Sequence, residues 1–278
     1  MRRGFASHLL RVGLGGALVL YAGICAPAQA RTAKDYLGFD QNLYPGDAAL
    51  PVLHREFAYT GYWLNPPPGM DTNPWVGKRA AVRRAGFGFL ILFNGRLDTQ
   101  LRHADAAALG ASDAADAVQA ARREGFPAHA LIFLDLEEGG RMLPEQLAYI
   151  GAWLQGVRAE GFRAGAYCSG IEAPDSGKTI TTARDLAAHF PGTPLWVAND
   201  ECPPAPGCVA QTAAPASSGF ADALVWQFAQ SPRRRQYTRA CARTYARDGN
   251  CYALRLPESE TTALDLDTSA SPDPSGGR

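Results

Sequence analysis

The chain has 278 residues, 27 basic and 27 acidic side chains, and a formal net charge of zero, with 46% of its residues hydrophobic. That is apolar material for one large domain or two small ones, and a charge balance that excludes a general nucleic-acid binder, which should be strongly basic. The one basic run, Arg233-Arg234-Arg235, reads as a solvated loop.

The first thirty residues carry an export pattern. Arg2 and Arg3 form a positive start, Leu9 to Ile24 is an apolar run, and Ala28-Gln29-Ala30 is an A-x-A cleavage site. A lipoprotein reading of Cys25 is weaker, because Ile24 stands where a small residue is wanted; an uncleaved anchor is the other alternative. Cleavage removes three arginines and no acids, leaving 248 residues with 24 basic and 27 acidic groups, a net charge of −3. No second long apolar run follows, so the expected product is secreted or periplasmic, with no membrane attachment after cleavage.

Beyond the signal, apolar β-prone segments alternate with helical ones. Strands are expected at Tyr36–Gln41, Phe57–Leu64, Phe87–Asn94, Ala130–Glu137, Arg163–Ser169, Pro194–Asn199, Ala223–Ala229 and Thr262–Asp267. Helices are expected at Lys78–Ala85, Ser112–Glu124, Pro144–Glu160 and Thr179–His189. Gly86, Gly125 and Gly161 stand where glycine stops a helix, and Pro144 suits a first helical turn. Residues 201–222 read as a long Pro/Ala/Ser loop, and 268–278 as a disordered tail. Eight strands with intervening helices in a chain of about 250 residues predict an α/β fold, a TIM-type (β/α)8 barrel over 31–267, irregular in its last third. The alternative, an open doubly wound sheet, lacks a Gly-rich phosphate loop after any strand.

Five cysteines remain after cleavage. Export favours disulfides, and the simplest pairs are Cys202–Cys208 and Cys241–Cys251, with Cys168 a free thiol inside a strand. Zinc is the competing reading, but the spacings fit no compact finger. The histidines show no metal-ligand spacing, so neither a metal nor an organic cofactor is implied.

In a (β/α)8 barrel, functional side chains sit at the C-terminal ends of strands. The stretch LIFLDLEEGG, residues 131–140, ends a strand in carboxylates. Leu131, Phe133, Asp135 and Glu137 share one face, with the Cα atoms of the two acids roughly 6.6 Å apart, close enough to raise each other's pKa. Glu138 lies on the opposite face and reads as structural. Asp40, Asp265, Asp267 and Asp200 also stand at strand ends. Tyr62, Trp63, Asn65, Asn94, Tyr167, Trp196, Asn199, Trp226 and Gln227 would join them at one mouth. Aromatic rings stack on sugars and amides bind hydroxyls, so this set points to a glycan site; singly, Tyr167, Trp196 and Trp226 read equally well as core.

The segments GFDQNLYPGD, TGYWLNPPP, LIFLDLEEGG, AGAYCSG, PLWVAND, LVWQFAQSP and ALDLDTS, in this order, resemble the Rv2525c-like glycoside-hydrolase-like (DUF1906) family, itself similar to glycoside hydrolase family 25 lysozymes. The resemblance implies a secreted barrel acting on a polysaccharide, a bacterial cell-wall glycan, with Glu137 as general acid and Asp135, Asp40 and Asp265 assisting. Tyr62, Asn65, Asn94, Tyr167, Trp196, Asn199, Trp226 and Gln227 would bind substrate. A non-catalytic glycan-binding protein using the same cleft is the competing class.

Overall fold

The computed structural model describes Met1 and residues 34–201, 212–235, 249–251 and 263–278. The signal segment and Cys202, Cys208 and Cys241 lie outside these residues, and with them the proposed disulfide pairs. Cys168 is a buried free thiol, as expected.

Eight strands close into a barrel in the order β1 (Tyr36–Asp40), β10 (Asp265–Ser269), β9 (Ala223–Ala229), β8 (Leu195–Ala198), β5 (Arg163–Ser169), β4 (Leu131–Asp135), β3 (Gly88–Asn94) and β2 (Tyr59–Trp63). Seven run parallel. β10 is antiparallel to both β1 and β9, which is the irregularity of the last third. The remaining strands, β6 (Ala173–Asp175) and β7 (Lys178–Ile180), form a separate hairpin where a helix start was expected. Among the described residues, six helices surround the strands: α1 (Leu50–Leu53), α2 (Arg79–Arg84), α3 (Asp98–Leu101), α4 (Ala106–Glu124), α5 (Pro144–Ala159) and α6 (Thr182–His189). None is long and apolar enough to cross a membrane.

Helix α4 starts a turn and a half earlier than its periodicity predicts, because the Asp105 side chain caps it by accepting from Ala108 N at 3.0 Å. It ends at Gly125, whose left-handed backbone (φ 78°) stops it as the glycine predicts. Buried faces follow from alternation. Ile132 and Leu134 point outward under the helices, while Leu131 and Phe133 fill the barrel, and all four are fully buried. Tyr59 lies across the inside of β1, and a Cβ on Gly38 would stand 1.9 Å from its ring, so only glycine fits there.

The expected disordered tail is ordered. At the foot of the barrel the β3–β4 pairing begins only at Ile91 and Ile132, so the strand starts stand apart. Residues 273–277 fill the gap. Ser275 N donates to Phe89 O (2.9 Å), its carbonyl accepts from Leu131 N (2.8 Å), and its hydroxyl accepts from Ile91 N (3.0 Å). Asp273 Oδ1 accepts from Phe89 N at 2.9 Å. A Ser/Pro/Gly composition signals disorder only when no unpaired backbone awaits it; here unsatisfied strand amides recruit it.

Candidate active site

The C-terminal ends of β1, β4, β5, β8 and β9 rim a cavity of about 210 Å³. The antiparallel β10 contributes its first residue instead, so Asp265 stands at the mouth and Asp267 two residues deeper. Asp40, Asp135, Glu137 and Asp265 line the cavity, with Tyr167, Trp196 and Gln227 beside them. Gly61 on β2 makes room for Asp40: a Cβ there would come within 2.7 Å of the Asp40 Cβ.

The interior acids are held by few donors. Gln227 Nε2 donates to Asp40 Oδ2 at 2.8 Å, and Gln227 Oε1 accepts from the Tyr167 hydroxyl (2.7 Å) and from Gln230 Nε2 (2.9 Å). Trp196 Nε1 donates to Asp267 Oδ1 at 3.0 Å, and Ser231 N to Asp265 Oδ1 at 2.5 Å. Asp135 receives nothing: it is 2% exposed and neither carboxylate oxygen has a donor. Its carboxyl meets that of Glu137, a contact that is favourable only when one of the two carries a proton.

Loss of hydration is the main cause of raised pKa values throughout the cluster. Burial, opposed by the Gln227 and Asp267 contacts and aided by the Glu137 charge, pushes Asp40 up to about 6. Burial and then the charges of Glu137 and Asp40 raise Asp135 well above the carboxylate range. Asp265 and Asp267 are raised by burial and then by Asp40. Glu137 differs in position. Its side chain reaches out to solvent, while the cavity walls strip part of the carboxyl's hydration and raise its pKa. It is the acid placed between the buried cluster and the open mouth.

Five of the expected ligand residues lie elsewhere. Tyr62 points outward into a ring cluster with Phe89 and Phe126, and its hydroxyl donates to Trp75 O at 2.6 Å. Trp226 is also outward, packed on Phe228 with its N–H donating to Asn199 O at 2.9 Å. Asn199 ties two loops together by donating to Ser218 O at 2.8 Å and to Gly170 O at 3.3 Å. Asn65 and Asn94 hold each other, with Asn65 Nδ2 donating to Asn94 O (3.0 Å) and Asn94 N to Asn65 Oδ1 (2.7 Å). They line a separate, larger groove of about 800 Å³ beside α4. Trp196 is at the cavity but only 1% exposed, so it forms the floor rather than a stacking platform. Sequence reasoning did not assign Asn42, Pro68, Leu92 or Gln230 to the lining, and it treated Trp63 only as one aromatic among several. Trp63 shares a face with Gly61 on β2, and that parity was the available signal. Glu138 is structural, accepting from Asp98 N and Gln146 Nε2, each at 2.7 Å. Among the described residues no group of three or more His, Cys, Asp and Glu is arranged to hold a metal ion.

Residues 62–204 match the Rv2525c-like, glycoside hydrolase-like domain, a span that runs from the end of β2 through β8 and includes the Asp135–Glu137 pair. The chain belongs to this family. Solved structures share the fold. A B. stearothermophilus protein is 20% identical, covering 84% of this chain and 94% of its own, with a TM-score of 0.52. The Tat-secreted Rv2525c of Mycobacterium tuberculosis, in complex with HEPES, is 13% identical over 87% of this chain and 97% of its own, with a TM-score of 0.50. The spore cortex lytic enzyme SleM of Clostridium perfringens is 16% identical, covering 85% and 68%, with a TM-score of 0.51. No curated protein sequence matches the chain.

Proposed function

We propose that this Rv2525c-like domain is exported by its N-terminal segment and hydrolyses glycosidic bonds of a bacterial cell-wall glycan. The observation that carries the reading is the contact of two carboxyls, one buried without donors and one open to the mouth, at the end of β4. Carboxyl pairs of this kind divide acid and base roles at a glycosidic bond. Glu137 is the acid placed to deliver a proton to the leaving oxygen, because it alone of the pair faces solvent and burial raises its pKa against the opposing contact with Asp135. Asp135, once ionised, steadies the positive charge that develops at the anomeric carbon. Asp40, oriented by Gln227, and Asp265, held by Ser231 N, supply further negative potential and acceptors for sugar hydroxyls.

A second cavity of about 210 Å³ shares Asn42 and Asp265 with the first, so the cleft continues past the acids along Gln41 and Leu43, which suits a polymer better than a single small molecule. The spore cortex lytic action of SleM, on the same fold, agrees with a wall glycan as substrate. The test is incubation of the purified full chain with isolated cell walls, following turbidity and newly formed reducing ends. Reducing ends that appear with wild type and not with Glu137→Gln support the hydrolase. Glycan binding without any new reducing end would overturn it in favour of a binding protein that uses the same cleft.

A further inference from the structure

Among the described residues the acid cavity has no counter-ion. Asp40, Asp135, Glu137 and Asp265 face it, Asp267 lies beneath, and none of the described side chains that line it is Lys, Arg or His. At the rim, Arg234 is engaged by Asp200 (2.9 Å) and Glu201 (3.2 Å). Among the described residues the donors to these acids are Gln227, Trp196 and Ser231, and Asp135 is left at 2% exposure with both oxygens unmet except by another carboxyl. A buried carboxylate in that state is unfavourable until a ligand brings it a donor.

We infer that the cavity selects a hexosamine whose amino group is free, an N-deacetylated unit of a glycan, over the N-acetylated unit. The inference rests on the glycan-cleaving reading above and deepens it by naming the substituent at C2. An ammonium group brings three donors and a full positive charge to Asp135 and its neighbours. An N-acetyl group brings one N–H donor and a carbonyl oxygen, which the carboxylates repel. C2 is bonded directly to the anomeric carbon, so its substituent falls beside the carboxyls that would serve cleavage.

The experiment compares binding of chitosan tetrasaccharide and chitin tetrasaccharide to the full chain by calorimetry near neutral pH. The deacetylated ligand binds about tenfold or more tighter to wild type, the scale of one charge-assisted contact in a partly dehydrated site. In Asp135→Asn the preference falls to about twofold or less. That variant replaces a buried ionisable carboxyl by an amide of the same shape, so it folds, and a thermal melt verifies this. Wild type needs no variant to decide the main point. Equal or tighter binding of the chitin ligand overturns the amine preference while leaving the glycan reading intact. Binding of neither ligand overturns both. An undiminished preference in Asp135→Asn removes Asp135 from the recognition and overturns the assignment.

Discussion

Asp40→Asn provides a direct measure of what the acid cluster costs the fold. In the folded protein burial holds the Asp40 pKa at about 6, against an ordinary value of 3.8. A carboxyl whose folded pKa is raised binds its proton more tightly in the folded state. Its effect on stability is therefore absent below pH 3.8, grows unfavourable as pH rises, and is complete above pH 6. A rise from 3.8 to about 6 corresponds to about 3 kcal/mol. Asn keeps the acceptor for the Gln227 amide and cannot ionise. Urea unfolding of wild type and variant between pH 3.5 and pH 7.5 is the assay. The two should be nearly equal at the acid end, and the variant should be more stable by up to about 3 kcal/mol at the other. Asp40 also raises Asp135, Asp265 and Asp267, so the difference between the two curves reports Asp40 together with its effect on those neighbours. A stability difference that stays flat across this range, or that favours wild type at neutral pH, refutes the reasoning.

Glu137→Gln should lower hydrolysis by about 10²–10⁴ with glycan affinity little changed, since it removes the transferable proton and keeps the shape; turnover at the wild-type rate would exclude Glu137 as the acid. Glu138→Gln should leave the rate nearly unchanged, because its contacts are to Asp98 N and Gln146 rather than to the cavity; a large loss in a well-folded variant would show that it serves the reaction. Gly61→Ala should destabilise the fold by about 1–3 kcal/mol and reduce turnover, because the new methyl meets Asp40; denaturant midpoints and wall-lysis rates check both parts. Removal of residues 271–278 should cost about 3 kcal/mol or more, as the amides of Phe89, Ile91 and Leu131 lose their acceptors; an unchanged melting temperature would contradict the role assigned to the tail.

The strands and the acids were legible because both obey simple rules. Runs such as Leu131–Asp135 are apolar on both faces and end in a charge, which marks a buried strand and its functional end together. The binding residues are less legible because residue type near a strand end shows the chemistry available and not the face on which it lies. Trp226 and Gln227 are adjacent in one strand, so they cannot both face inward; Gln227 does, and Trp226 packs outside. Tyr62 and Trp63 divide in the same way, with Trp63 inward. Asn65, Asn94 and Asn199 bind backbone at strand ends, where an amide is as useful for tying loops as for holding a hydroxyl. The tail is illegible for a different reason: its order depends on unpaired amides in strands 140 to 190 residues earlier, which no local composition can reveal.

The energetics of the barrel mouth bear on why the acids are there. Below them the interior is apolar, with Phe133 and Leu90 fully buried, and an apolar or amide side chain in place of any buried acid would continue that packing. Asp40, Asp135, Asp265 and Asp267 are all raised by burial, so each ionised form opposes folding near neutral pH. The donors that reach three of them orient the carboxyls without supplying a positive charge, and the fourth, Asp135, has no donor. A structural role for buried acids normally shows as pairing with a cation, as Asp113 is paired with Arg96 at 2.7 Å on the outside of this same barrel. The contrast within one molecule separates the two kinds of acid. Asp113 outside is neutralised by the fold, and among the described residues those inside have no cation beside them. Neutral replacements of Asp40, Asp135 or Asp265 should therefore raise stability near neutral pH and lower glycan binding or turnover in the same protein. Replacement of Asp113 should lower stability with no gain elsewhere, because it leaves Arg96 and the Tyr149 hydroxyl without their shared acceptor.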